Sequence, residues 1–143
     1  MPTIIKWLAT FSLIILYFLM FYVGYLIFWP IRTIETENSI LPVITHQVKR
    51  GTALIYQVNY CRYQFYGATV YRTLYGTNNN NVYPLAPVNT VTSPGCRTAN
   101  VYLMIPSSLQ PGTYYVNVLL KIQVNLLRQQ TLETRTQSFE VTN

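Results

Sequence analysis

The residues able to move a proton, act as a nucleophile or hold a metal are few in this 143-residue chain. There is one histidine, His46, with four glutamates, Glu35, Glu37, Glu133 and Glu140, no aspartate, and two cysteines, Cys61 and Cys96. His46 stands between Thr45 and Gln47 with no acid nearby in sequence, so it reads as an ordinary strand residue. Glu35 and Glu37 fall in a connector. Glu133 and Glu140 lie seven residues apart on one expected strand, where an odd separation puts side chains on opposite faces unless a bulge intervenes. The chain has no GxSxG elbow, P-loop, glycine-rich dinucleotide turn or HExxH pair. Two isolated cysteines without a CxxC spacing make a poor zinc site. We therefore expect no catalytic residue, no cofactor and no metal.

The cysteines read instead as a structural disulfide, with free thiols as the alternative. A bridge closing a loop of about 35 residues stabilises a small domain by roughly 3–4 kcal/mol in the chain-entropy model. Cys61 ends one expected strand and Cys96 falls in a Pro-Gly turn region, so the bridge would pin the Gly76–Gly95 excursion to the sheet.

Contact chemistry is better represented than catalytic chemistry. The stretch Tyr60-Cys-Arg-Tyr-Gln-Phe-Tyr-Gly67, then Tyr71, Tyr75 and the Asn run, combines rings of large area with adaptable amides, the composition of a recognition surface. Tyr63, Tyr66, Tyr71, Tyr75, Asn78, Asn79, Asn80 and Asn81 are the candidate partner-binding residues. The competing reading packs the tyrosines inside the domain and leaves the asparagines to cap a hairpin. The basic residues Lys49, Arg50, Arg62, Arg72, Arg97, Lys121, Arg128 and Arg135 are scattered, which reads as a solvated surface and not as a nucleic-acid site.

These residues must be positioned by two unlike elements. Half of the chain is apolar and 10% is charged, against roughly 25% charged in an ordinary soluble domain. From Trp7 to Trp29 no side chain is charged. As a helix at about 1.5 Å per residue this run reaches roughly 34 Å, enough for a hydrocarbon core of about 30 Å. Trp7, Tyr25 and Trp29 suit the headgroup interface, Lys6 and Arg32 bracket the run, and Pro30 stops it. The run is longer than a signal-peptide core and its far end, Tyr25-Leu-Ile-Phe-Trp29, has no small-residue cleavage site, so an uncleaved anchor is expected. Two cysteines and a low charge content favour an extracytoplasmic domain, with the N-terminus cytoplasmic and the C-terminal part periplasmic or extracellular. Tyr17, Phe21, Gly24 and Phe28 share one helix face, and a glycine in an aromatic stripe admits a partner helix.

Beyond the connector the period changes to two. From Thr113 to Leu126, Tyr114, Val116, Val118, Leu120, Ile122 and Val124 point one way. Thr52–Cys61 alternates likewise, with Leu54, Tyr56, Val58 and Tyr60 on one face. Shorter strands are expected at Ile40–Val48, Ala68–Tyr75, Val101–Ile105 and Thr131–Val141, with a weaker one at Ala86–Thr92. Lys49-Arg50-Gly51, Tyr66-Gly67, Gly76–Asn81, Ser93-Pro94-Gly95 and Gln110-Pro111-Gly112 supply turns. The expected organisation is a tail at 1–6, a transmembrane helix at 7–29, a connector at 30–39 and a domain at 40–143. The fold class is all-β: an antiparallel immunoglobulin-like β-sandwich of six to seven strands. The ending Ile105-Pro106…Leu109-Gln110-Pro111-Gly112-Thr113-Tyr114…Phe139-Glu140-Val141 resembles the last two strands of many bacterial and viral immunoglobulin-like modules. The resemblance covers about a quarter of the chain and implies a fold only, since such modules host unrelated functions.

The functional expectation is a membrane-anchored, non-enzymatic binding or structural module. Its partners would be the lipid bilayer and another protein of a bacterial or viral membrane assembly, with no nucleic acid and the oligomeric state open. Two alternatives remain at this stage: a phage- or plasmid-encoded envelope inhibitor or exclusion factor, and a domain whose tyrosine and asparagine loops take a small ligand or glycan.

Overall fold

The computed structural model describes residues 2–29, 32–78 and 81–143. Its first element is α1, Pro2–Phe28, a helix of 27 residues. The expected tail at 1–6 is therefore largely helical. Proline suits the first helical position because its missing N–H would have no intrahelical partner there, and Ile4 and Ile5 continue the apolar run past Lys6. Thr3–Phe28 is long and apolar enough to cross a membrane, and its apolar window is 0% buried. Pro30, expected to stop the helix, lies outside the described residues.

The remainder is β-structure. In chain order the strands are β1 Ile34–Thr36, β2 Ile40–Leu41, β3 Gln47–Lys49, β4 Ala53–Arg62, β5 Ala68–Gly76, β6 Val82–Pro84, β7 Val88–Thr90, β8 Gly95–Met104, β9 Gly112–Gln123, β10 Gln129–Thr136 and β11 Phe139–Thr142. One sheet runs β1-β4-β8. The other carries β10 and β11 on one edge of β9 and β5 on its other edge. Buried residues of both sheets share one apolar cluster, among them Leu54, Tyr56 and Leu103 from the first and Leu74, Tyr114 and Val116 from the second. This is the arrangement of a β-sandwich.

The long strands follow the expected alternation. Even-numbered residues of β4, β5 and β9 face inward, with Leu54, Tyr56, Ala68, Leu74, Tyr114, Val116 and Ile122 buried. The turn into β4 uses Gly51 at φ 75°, a left-handed conformation that a Cβ disfavours.

Four features depart from the sequence reading. The strands are not all antiparallel: β2 runs parallel to β10 and β3 parallel to β11. The expected strand Ile40–Val48 is divided at Pro42, which lacks a ladder donor, and Val43 crosses to bridge Tyr56 of the other sheet. The expected Val101–Ile105 strand extends back to Gly95, because all ten of its residues pair with β4.

The fourth departure is at Thr131–Val141, which divides into β10 and β11 at a β-bulge. Arg135 pairs with Asn117 and Phe139 with Tyr114, so four steps on one strand oppose three on the other. The inward phase shifts from Thr134 and Thr136 to Phe139 and Val141. At the break the Val116 N–H donates to the Thr136 hydroxyl at 2.9 Å. The bulge turns Glu133 and Glu140 to the same outer face, yet they pair with residues six positions apart on β9, Leu119 and Thr113. They make no carboxylate pair: Glu133 accepts from Asn117 at 2.7 Å and Glu140 from Gln47 at 3.1 Å.

Candidate functional site

Cys61 and Cys96 form a disulfide with their Cα atoms 3.9 Å apart. They stand opposite each other in the β4–β8 register. Cys96 therefore lies inside a strand and not in the turn expected from Pro94-Gly95. The bridge joins two neighbouring strands and does not tether a loop. Among the described residues no three His, Cys or Glu side chains gather to offer a metal site.

The tyrosines separate into two groups. Tyr71 and Tyr75 occupy odd positions of β5 and lie on the outer face of the large sheet. There the Tyr75 ring stacks on Tyr115 at 5.4 Å, and the Lys121 ammonium sits 5.0 Å from the centroid of Tyr71. Tyr115 was not among the candidate residues, although its odd position on β9 gives it the same face. Tyr66 instead packs against Ile34, Ala68, Ile122 and Val124, as the interior reading requires. Tyr63 is exposed beside the connector and donates to Glu35 at 3.1 Å. Asn78 is exposed in the turn after β5 and Asn81 precedes β6; Asn79 and Asn80 lie outside the described residues. Tyr71 and Tyr75 thus share a surface from which Tyr63 and Tyr66 are separate.

The helix meets the domain at the β9–β10 turn. Asn125 donates through Nδ2 to the carbonyl of Leu26 at 2.6 Å, and Arg128 through Nη1 to that of Ile27 at 3.4 Å. The last carbonyls of a helix lack intrahelical donors and carry partial negative charge, so an amide and a cation suit them. Between these residues Leu126 is 97% exposed and Leu127 62%. Of the helix stripe, Phe21, Gly24 and Phe28 line a shallow groove that Arg128 also lines. Nothing stands within 4 Å of the Gly24 Cβ position. Tyr17 lies a turn further from the domain, in edge contact with Phe18.

A further concavity lies within the sandwich. A slot of about 360 Å³ lies between the sheets, walled by apolar side chains that include Val58, Val70, Val101, Val118, Leu120 and Leu132. Two arginines, Arg62 and Arg72, line it. Sequence reading placed both on the solvated surface, and for these two that is corrected. They hold even positions, in phase with Tyr60 on β4 and with Val70 and Leu74 on β5. That phase is the signal available in the sequence, although arginine is seldom an interior residue.

Arg62 is 4% exposed. Its Nε donates to the Gln64 carbonyl at 3.2 Å and its Nη1 to the Thr92 hydroxyl at 2.5 Å, while Nη2 is buried without a partner. Burial holds its pKa below the usual arginine value, the charge of Arg97 acts in the same direction and Tyr60 opposes both. The Nε of Arg72 is likewise buried without a partner. Burial raises the pKa of Tyr56 above the usual phenol value, against the opposing charge and hydrogen bond of Arg72.

No family model matches the chain, and no curated protein matches it. Among solved structures it is similar to the ASH/PapD-like domain of human CEP192, at 12% identity and a TM-score of 0.45, covering 78% of this chain and 86% of that one. It is also similar to a cellulose-active polysaccharide monooxygenase from M. thermophila, at 11% identity and a TM-score of 0.48, covering 70% of this chain and 54% of that one. A third similarity is to the alkylpurine DNA glycosylase AlkC of Pseudomonas fluorescens, at 13% identity and a TM-score of 0.42, over 78% of this chain and 31% of that one.

Proposed function

We propose that this chain is a single-pass membrane protein displaying a non-enzymatic binding domain, an immunoglobulin-like sandwich, on the outer side of the bilayer. The observation that carries this reading is the helix: a 26-residue apolar segment that is 0% buried, attached to a domain with its own core. Exposing such a surface to water is strongly unfavourable, and a bilayer covers it. The joint supports the reading. Leu126 and Leu127 are exposed between the two residues that bond the end of the helix, where apolar side chains suit the membrane interface. Arg128 stands there too, placed for anionic headgroups.

The immunoglobulin-like assignment is supported by the strand order. Consecutive strands β4 and β5 lie in different sheets, as do β8 and β9, while the last strands β10 and β11 follow one another along one edge of β9. Binding to a neighbouring protein is supported by the Tyr71, Tyr75, Tyr115 and Lys121 face, which combines broad rings with a cation.

The decisive experiment is alkaline carbonate extraction of membranes carrying the full chain, followed by crosslinking in those membranes. Retention in the pellet, with a crosslinked partner lost in Tyr71→Ala/Tyr75→Ala, is expected. Release into the supernatant refutes the anchor, and a crosslink pattern indifferent to the tyrosines refutes the binding face.

A further inference from the structure

We propose that the slot between the sheets is a binding site for a single-chain amphipathic anion, an alkyl chain ending in a carboxylate or phosphate, with its head on Arg62 and its chain along Val58, Val101, Val118 and Leu120. The argument begins with charge. The Arg62 side chain is almost wholly buried, and two of its nitrogens meet only neutral oxygens, those of Gln64 and Thr92. The third, Nη2, has no partner. A guanidinium keeps its proton, so it must be matched by an anion rather than neutralised.

Glutamates do not supply that anion among the described residues. None lines the slot. Glu35 is engaged by Arg32 at 3.5 Å and by Tyr63, Glu133 by Asn117, and Glu140 by Gln47. Glu37 borders a separate depression beside the disulfide. The counter-charge must therefore come from outside the chain, and a charge-assisted bond from a guanidinium is among the stronger polar contacts available to it.

The walls decide the rest of the ligand. Beyond the two arginines, four threonines and the rings of Tyr56 and Tyr60, the lining is aliphatic. Against the aliphatic stretch of Val58, Val70, Val101, Val118, Leu120 and Leu132 a sugar would leave hydroxyl groups unpaired, and an inorganic anion would leave that stretch uncovered. An alkyl chain carrying one anionic head satisfies both parts. The slot reaches the surface at Val88, which lines it and is 45% exposed, giving such a chain a way in. At the helix-proximal end Ile34 pairs with Arg62 across β1 and β4. The inference does not require that the helix cross a bilayer.

The test is scintillation-proximity binding on the full chain held in amphipol, with tritiated hexadecanoate, hexadecyl phosphate and hexadecanol as probes. At least one of the two anions is expected to bind tenfold or more tightly than the alcohol, and the tighter of the two identifies the head. Arg62→Gln should abolish that preference, and Val118→Trp, which fills the slot, should abolish binding of all three. Thermal unfolding establishes that each variant is folded. Should neither fold, the wild type decides: its unfolding midpoint should rise with the preferred anion and not with hexadecanol or sulfate. Equal affinity for both anions and the alcohol overturns the proposal. So does undiminished anion binding in a folded Arg62→Gln or Val118→Trp variant.

Discussion

Along β9 the same alternation runs through two different interiors. At the end far from the helix, Tyr114 and Val116 are fully buried against Leu54, Leu74, Leu103 and Phe139. Two and four residues on, Val118 and Leu120 point the same way yet are only half-buried, because they wall the slot. Beyond them Ile122 is buried again, in a second cluster with Ile34, Ala68 and Val124. Period two tells which side chains face inward. Whether anything fills the space in front of them depends on what the opposite sheet presents, and there β4 presents Val58, Tyr60 and Arg62. A packed core and a ligand-sized slot can therefore carry the same sequence pattern.

The largest expected effect tests what holds the slot end together. Cys61→Ser/Cys96→Ser removes the cross-strand bridge at that end and should cost about 3–4 kcal/mol by urea unfolding. A loss below about 1 kcal/mol would show that β4 and β8 are held by their ladder alone.

Next is the contrast itself. Leu74→Ala, in the packed end, should cost about 3 kcal/mol, whereas Val118→Ala, facing the slot, should cost about 1 kcal/mol or less, since little packing is lost. Equal costs would erase the distinction between the two interiors. Arg62→Met should raise the stability of the ligand-free protein by about 1–2 kcal/mol, as replacing buried charge with an apolar side chain often does. A destabilised Arg62→Met would mean that the bonds to Gln64 and Thr92 outweigh the cost of the unmatched charge.

A pH prediction follows from Tyr56, at the boundary between the two interiors. Its folded-state pKa is raised, so the folded protein holds this proton more tightly than the unfolded chain. The associated stability is fully present below about pH 10, the unfolded tyrosine value, and is lost as pH rises through the folded value. Tyr56→Phe should flatten that alkaline loss in denaturation midpoints measured from pH 8 to 11. The smallest effect is outside the sandwich: Lys121→Ala should change stability by about 0.5 kcal/mol, through its contact with Tyr71.

Much of this architecture was legible in the amino acids. The uncharged run from Trp7, the long alternating stretches around Leu54 and Tyr114, and the turn residues Gly51 and Gly112 carry their signal locally. The candidate site was legible only in part. Tyr71 and Tyr75 could be singled out, but Tyr115, forty residues further on, joins them only because β5 and β9 pair. Cys96 looked like a turn residue because Pro94-Gly95 precedes it, and its place in a strand depends on ten pairings with β4.

Hydrophobic length and periodicity are properties of neighbours along the chain, so they settle the apolar helix, the strands and the inward face of each without reference to anything distant. The bulge after Thr136, the parallel edge strands and the slot depend on which strands meet and in what register. Register is a long-range choice among alternatives that the local pattern leaves nearly equal in energy, and packing between the sheets makes it. That choice turned Arg62 from one of several scattered surface cations into a buried charge facing an apolar wall.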